Sequence, residues 1–471
     1  MSLSVVILAA GLGTRMKSAL PKVLHPLAGR PMVLYGVETA RALGAEAIVL
    51  VVGHGADQVR AVVGDGVLYA PQPEPLGTGH AVAQAAPLLR GRQGTTLVYY
   101  GDMPLLQPET LRRLAAAHED TGATLTLLTL RADDPMGFGR ILRDADGRVV
   151  GIVEDSVATP EQKRIRELNC GVYCFQSDWL WDNVAKLHKS PKGEFFLTDL
   201  VAIAVAQGRR VEAVSTDDAD QMLGINDRTH LARAEAIVRR RIAQRHMLSG
   251  VTFVDPLSTY VDADVQIAPD TVLYPNTHLQ GKTRIGSRCR IGPNTIVRDS
   301  IIGDDCKVEA SVVEEAVLED CVDIGPFAHL RKGAHLARGV HMGNFGEVKN
   351  SYLGPGAKMG HFSYLGDAEV GANVNIGAGT ITCNFDGERK HKTIIEEGAF
   401  IGSDTMLVAP VRIGKGAKTG AGSVVTRDVP PGAVAYGVPA RVRKGQSEAD
   451  PQDSEQPSDA PAGAGGQESG K

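Results

Sequence analysis

The segment Ile285-Gly286-Ser287-Arg288-Cys289-Arg290-Ile291-Gly292-Pro293-Asn294-Thr295-Ile296-Val297 places an apolar residue at every sixth position. Upstream the same phase runs through Ile267, Leu273 and Leu279. Downstream the phase slips and returns, through Leu318, Ile324, Leu330, Leu336, Met342 and Val348, then Leu353, Met359 and Leu365, then Ile395, Ile401, Leu407 and Ile413. Glycine often follows the apolar residue, as at Gly286, Gly292, Gly303, Gly325, Gly402 and Gly414. A period of six specifies three short strands per coil of a parallel β-helix, with the apolar residue of each hexad stacked inside. Small residues at the corners let the chain turn. The repeat explains most of the 54 glycines in the chain. It accounts for structure alone, so chemistry must come from residues that break the pattern.

The half before the repeat alternates strands and helices. Val5 to Ala9, Ala47 to Val52, Thr95 to Tyr100 and Thr124 to Leu130 are apolar runs with little alternation, as strands buried on both faces require. A helical stretch lies near Pro31 to Leu43. The expected class is α/β, a parallel Rossmann-like sheet followed by the β-helix. Between them, residues 228–248 put Leu231, Ala234, Val238 and Ile242 on one helical face and Arg233, Arg239, Arg240, Arg241 and Arg245 elsewhere. That spacing predicts an exposed amphipathic connector. The expected bounds are 1–227 for the α/β domain, 228–250 for the linker helix and 251–445 for the β-helix. Residues 446–471, rich in Ser, Gln, Pro, Asp, Glu and Gly, are expected to form a disordered acidic tail.

The formal net charge is -5 in a 471-residue chain, and the six acids and one base from Ser447 onward carry all of it. The body is near neutral, so no basic field argues for nucleic acid. The N-terminus shows no signal-peptide pattern, and no run of about 18 apolar residues would span a membrane. The six cysteines show no zinc-type spacing and read as reduced thiols of a cytoplasmic protein.

Chemistry enters at Leu8-Ala9-Ala10-Gly11-Leu12-Gly13-Thr14-Arg15-Met16, a small-residue loop after the first strand, with Pro21-Lys22 beyond it. Such a loop brings backbone N–H groups close to phosphates, or else simply turns the chain. It fits neither the Walker spacing nor G-x-G-x-x-G. Asp102 closes the strand at Tyr100-Gly101-Asp102, at the strand end where open α/β sheets bind ligands, although an Asp there also caps turns.

Leu-Ala-Ala-Gly-x-Gly-Thr-Arg-Met with a downstream Pro-Lys resembles the signature of sugar-phosphate nucleotidyltransferases. With the hexads behind it, residues 3–443 resemble the family of bifunctional N-acetylglucosamine-1-phosphate uridyltransferases/glucosamine-1-phosphate acetyltransferases of bacterial cell-wall precursor synthesis. That resemblance implies a cytoplasmic homotrimer with two activities, no nucleic-acid or membrane partner, and four small-molecule partners. These are UTP, glucosamine 1-phosphate, N-acetylglucosamine 1-phosphate and acetyl-CoA. It implies that Leu8, Ala9, Ala10 and Gly11 line the uridine and phosphate pocket, that Gln72, Gly77 and Thr78 read the uracil, and that Arg15 and Lys22 stabilise triphosphate charge. Asp102 and Asn226 would hold Mg²⁺, and Gly139, Glu154, Asn169 and Asn226 the sugar.

For the second activity the resemblance implies His361 as general base. Arg331, Lys349, Tyr364, Asn375 and Lys390 would hold the sugar phosphate, and Ala378, Asn384, Phe385, Ser403, Ala421 and Arg441 would lie along the acetyl-CoA groove. A lone His suits proton transfer near neutral pH, and Arg331 with Lys349 could clamp a phosphate. Two positions depart from the family. Phe385 stands where many relatives have Tyr, and Gly437 where some have an Arg for the coenzyme phosphates, with Arg441 as a substitute. Two other readings fit the same repeats: a single-activity nucleotidyltransferase with a structural β-helix, similar to ADP-glucose pyrophosphorylase, and a trimeric scaffold.

Overall fold

The computed structural model describes residues 2–135, 137–190 and 193–443; the expected tail lies outside them. The chain divides into two compact units, residues 1–332 and 333–471.

The first unit opens with a mixed sheet. Its strands are β1 (Leu3–Ala9), β2 (Ala47–Val52), β3 (Leu68–Pro71), β4 (Thr95–Tyr100), β5 (Leu125–Arg131), β6 (Arg140–Arg143), β7 (Val149–Val153), β8 (Glu167–Gln176) and β9 (Val211–Thr216). The order is β9-β5-β8-β4-β1-β2-β3, with the β6–β7 hairpin leaning on β8. Strand β1 pairs in parallel with β2 and β4, and every residue of β1 is buried, which explains its unbroken apolar run. The sequence reading made the sheet wholly parallel. In the structure β8 runs antiparallel between β4 and β5. It too is buried along nearly its whole length, so its composition carries no sign of direction.

A helix, Arg228–Leu248, follows the sheet. Asp227 caps its N-terminus, accepting from the backbone N–H groups of Thr229 and His230. Ala234, Ile237, Val238, Ile242 and Ala243 are buried. Its arginines are engaged: Arg233 and Arg240 face Asp220, Arg239 faces Glu235, and Arg241 donates to the Leu105 carbonyl at 2.9 Å.

Coils begin at Thr252–Phe253 and continue in the second unit. In each unit, strands of two to four residues stack in three parallel sheets, the left-handed hexapeptide β-helix. The hexad residues Leu273, Leu279, Ile285, Ile291 and Val297 are at most 4% exposed. At the corners, non-glycine residues such as Asn276, Arg288, Asn294 and Asp305 adopt positive φ, a conformation that Asn and Asp accept most readily. A small residue then turns inward: Thr271, Thr277, Thr283, Thr295 and Ser300 are fully buried. Their hydroxyls donate to backbone carbonyls, as Thr283 does to Gln280, which offsets the cost of burying them. Among the described residues, no helix is long and apolar enough to cross a membrane.

Candidate active sites

The ends of β1, β3 and β4 open on a cleft of about 350 Å³. Ten of the residues expected there line it: Leu8, Ala9, Ala10, Gly11, Lys22, Gln72, Gly77, Thr78, Asp102 and Glu154. The loop after β1 is held by Met16, which is 1% exposed in the core. Gly13 sits at φ 62, and a Cβ there would stand 2.7 Å from the Lys22 Cβ, so glycine lets Lys22 pass into the cleft.

Lys22 forms an ion pair with Asp102, and its Nζ lies 3.4 Å from the Asn226 Oδ1. Arg15 donates to that same oxygen at 2.8 Å. Residues 15, 22, 102 and 226 thus converge although far apart in the chain. On the opposite wall, burial raises the pKa of the Glu154 carboxyl, partly opposed by the hydrogen bond it accepts from Thr198 Oγ1 at 2.9 Å.

Gly139 and Asn169 stand behind that wall. The Asn169 N–H donates to the Gly139 carbonyl at 2.9 Å, and its side-chain amide donates to the Tyr173 hydroxyl at 2.7 Å. The lining also includes Tyr100, Glu194, Phe196 and Thr198, which the sequence reading did not single out. Leu76–Gly79 fastens the Glu194–Thr198 segment there. Phe195 N–H donates to Leu76 O, Gly79 N–H to Phe195 O (both 2.8 Å), and Leu197 N–H to Thr78 Oγ1 at 3.1 Å.

In the second unit, His361 ends the strand Lys358–His361 at an exposed corner. Its Nδ1 lies 3.2 Å from Asn344 Oδ1. An amide oxygen only accepts, so Nδ1 carries the proton and Nε2 keeps its lone pair. Gly379 N–H donates to the carbonyl of the next residue, Phe362, at 2.8 Å, and from there Ala378, Ser403 and Ala421 climb the same corner. Asp404 N–H to Ala378 O (2.6 Å) and Gly422 N–H to Ser403 O (2.8 Å) hold that stack.

Lys349 pairs in register with Gly366, and Tyr364 with Glu347, on the adjoining face. The Tyr364 hydroxyl and the Asn384 amide both crowd the place where a Cβ on Gly366 would stand. Asn384 in turn donates to Asp367 Oδ2 at 2.5 Å. Phe385 and Lys390 bridge across the loop after Ile381–Cys383. Lys390 lines a separate cleft of about 600 Å³ with Asn350, Tyr352, Asp367 and Glu369. Asn375 pairs with Lys358 and Phe400 on the face of the Lys358–His361 strand, and Arg441 is exposed in the terminal hairpin with Tyr436. Arg331 belongs to the first unit, just past the strand His329–Leu330. The structure therefore gathers Lys349, Tyr364 and Asn384, and separately His361 with the corner stack.

Residues 5–189 match the model of the MobA-like NTP transferase domain. Residues 264–299 and 392–427 match that of the bacterial transferase hexapeptide (six repeats). The chain is 49% identical over 439 residues to the bifunctional protein GlmU of Pelobacter propionicus, covering 92% of this chain and 95% of that one. It is 49% identical to the protein of that name from Trichlorobacter lovleyi, over 93% and 96% of the two chains. Against the one from Syntrophotalea carbinolica it is 51% identical, over 92% and 94%.

Proposed function

The chain belongs to the bifunctional GlmU family, and we propose how its residues divide the two reactions of UDP-N-acetylglucosamine synthesis. The enzyme transfers acetyl from acetyl-CoA to glucosamine 1-phosphate. It then transfers uridylyl from UTP to N-acetylglucosamine 1-phosphate, releasing pyrophosphate. We assign the uridylyl step to residues 1–227, the connection to 228–250 and the acetyl step to 251–445.

The observation that carries the uridylyl assignment is the meeting of Arg15, Lys22, Asp102 and Asn226 at the cleft. A sugar-phosphate oxygen attacks the α-phosphorus of UTP, and the bond to the bridging oxygen of the leaving pyrophosphate breaks. A phosphate oxygen is already nucleophilic at neutral pH, so no base is needed. Lys22 and Arg15 stabilise the charge that moves onto pyrophosphate. Asp102 and Asn226 turn a carboxylate and an amide oxygen toward the same cation, Lys22, and hard oxygen donors of that kind suit Mg²⁺. Bound there, Mg²⁺ would supply Lewis-acid stabilisation of phosphate charge. Glu154, with Gly139 and Asn169 behind it, faces the sugar hydroxyls.

In the acetyl step, His361 Nε2 takes a proton from the 2-amino group as its nitrogen attacks the thioester carbonyl. The C–S bond breaks, and the CoA thiolate leaves and is protonated. Asn344 holds the ring in the required tautomer, a role not visible in the sequence. Arg331, Lys349, Tyr364, Asn375 and Lys390 hold the sugar phosphate, and the corner stack of Ala378, Ser403 and Ala421 lies along acetyl-CoA. Phe345 and Phe362 are 59% and 58% exposed beside His361, a surface that neighbouring copies in a homotrimer would cover. Both co-substrates, and six cysteines without a disulfide, fit a cytoplasmic enzyme.

The test is release of CoA thiol from acetyl-CoA with glucosamine 1-phosphate and no UTP. We expect release that needs the amino sugar and vanishes in His361→Ala, with pyrophosphate release from UTP near normal. Asp102→Ala should show the reverse. Loss of both activities in either folded variant would refute separate sites. No thiol release from the folded wild-type protein would favour the single-activity reading.

A further inference from the structure

Gln72 is 7% exposed and follows β3 into the cleft. Its Nε2 lies 3.2 Å from the Gly77 carbonyl oxygen and 3.1 Å from His80 Nδ1. A carbonyl oxygen only accepts, so this end of the amide must be the NH₂ group, and a flip would set oxygen against oxygen. His80 Nδ1 must then accept the second N–H. A neutral imidazole has one acceptor and one donor, so its proton sits on Nε2. Gln84 reaches that nitrogen at 3.1 Å. To meet an N–H there, Gln84 turns its amide so that Oε1 accepts. The ring is also stacked on Phe195, centroids 6.3 Å apart, and Phe195 is tied through its backbone to Leu76 and Gly79.

We propose that His80, oriented by Gln84, is a positioning residue that makes the enzyme select uracil over cytosine by fixing the amide of Gln72. With its nitrogen engaged by Gly77 and His80, Gln72 offers the cleft its Oε1, an acceptor. Uracil presents a donor, N3–H, between two carbonyl acceptors. Cytosine presents a lone pair at N3, which faces the Gln72 oxygen without a proton between them. A buried polar site that must pair with its substrate rejects an analogue that leaves it unpaired far more strongly than a shape-based pocket does. Without the His80 acceptor, Gln72 is held by one hydrogen bond and can turn NH₂ to the cleft, where it suits cytosine. The inference rests on the reading that Gln72 faces the base.

The experiment measures kcat/KM for UTP and for CTP by pyrophosphate release, with N-acetylglucosamine 1-phosphate as acceptor. Acetyl transfer on the same samples reports that the protein is folded. His80→Phe keeps the ring on Phe195 and removes the acceptor. The UTP-to-CTP ratio should fall by about tenfold or more, through a higher KM for UTP and a gain with CTP. Gln84→Leu should lower the ratio in the same direction. Gln84→Glu, whose carboxylate can only accept from Nε2–H, should hold it within about twofold. If Gln72→Leu collapses the ratio while His80→Phe and Gln84→Leu leave it intact, the relay is wrong and the base-reading role stands. If Gln72→Leu also leaves it intact, the underlying reading fails with it. Equal losses with both nucleotides in His80→Phe would reduce His80 to packing and overturn the proposal.

Discussion

Replacing Gly77 with alanine tests whether the uridylyl cleft depends on one backbone conformation. Gly77 has φ 99 and ψ 178, a region that is essentially closed to residues with a Cβ. An added Cβ would lie 2.6 Å from the Phe195 carbonyl oxygen and 2.9 Å from its nitrogen. Neither is a flexible side-chain end, so the two segments must part or Gly77 must change conformation. The strain alone is of order 1–3 kcal/mol. The separation has chemical consequences because Leu76–Gly79 and Phe195–Leu197 are zipped by three hydrogen bonds, and Glu194, Phe196 and Thr198 line the cleft from the second segment. A displacement near 1 Å at a positioned reacting centre costs roughly 100-fold in rate. We therefore expect kcat/KM for pyrophosphate release to fall by about that factor in Gly77→Ala, and the melting temperature of the α/β domain to drop. Thiol release from acetyl-CoA should not change, since none of the displaced residues belongs to residues 333–443. A variant that melts like wild type and keeps its uridylyl kcat/KM within about twofold would refute the reasoning, because the loop would then tolerate a Cβ where none fits.

Other expectations follow from burial. Ile291→Ala empties a fully buried hexad position and should cost about 2–5 kcal/mol in denaturant unfolding, read from the first unit's transition. His118 is 3% exposed, bonded to Thr126 Oγ1 at 2.9 Å, and burial lowers its pKa from 6.5 to about 4. Below pH 6.5 the unfolded chain takes up a proton that the folded chain refuses, so stability is lost as pH falls toward 4. His118→Gln should flatten that part of the pH–stability curve, and an unchanged slope would count against it. Phe362→Asp puts a charge on the surface assigned to neighbouring copies. Light scattering should show a smaller species, with acetyl transfer lost and uridylyl transfer kept.

The hexads were legible because a β-helix writes its core into the chain at a fixed interval. Ile285, Ile291 and Val297 each fill one wall of a coil, and nothing distant in sequence decides their environment. The sheet was less legible. Runs such as Val5–Ala9 and Cys170–Phe175 are both buried on two faces, yet one pairs in parallel and the other antiparallel. Direction is fixed by the connections, which composition does not record. In the cleft, motif residues sit on short loops at strand ends, where glycine and charge stand out against apolar neighbours. Glu194-Phe195-Phe196-Leu197-Thr198 carries no such contrast; it reads as core and reaches the cleft only through its pairing with Leu76–Gly79. The sequence reading also counted two to three coils between Arg331 and Lys349. Register pairs such as His278 with Ile296 and His335 with Tyr352 show that a coil takes about seventeen residues, so the two cations are one coil apart in sequence.

Asn344, His80 and Gln84 were invisible for a related reason. Each acts by choosing the tautomer or amide orientation of another residue, and that choice exists only once hydrogen-bond partners are assembled. For His361 and for Gln72 the decisive partner is one that can only accept, the Asn344 side-chain oxygen in one case and the Gly77 carbonyl in the other. An acceptor-only partner leaves no second solution. It is the physical reason that a base in one unit and a base-reading amide in the other can each be held in a single chemical state without a buried charge.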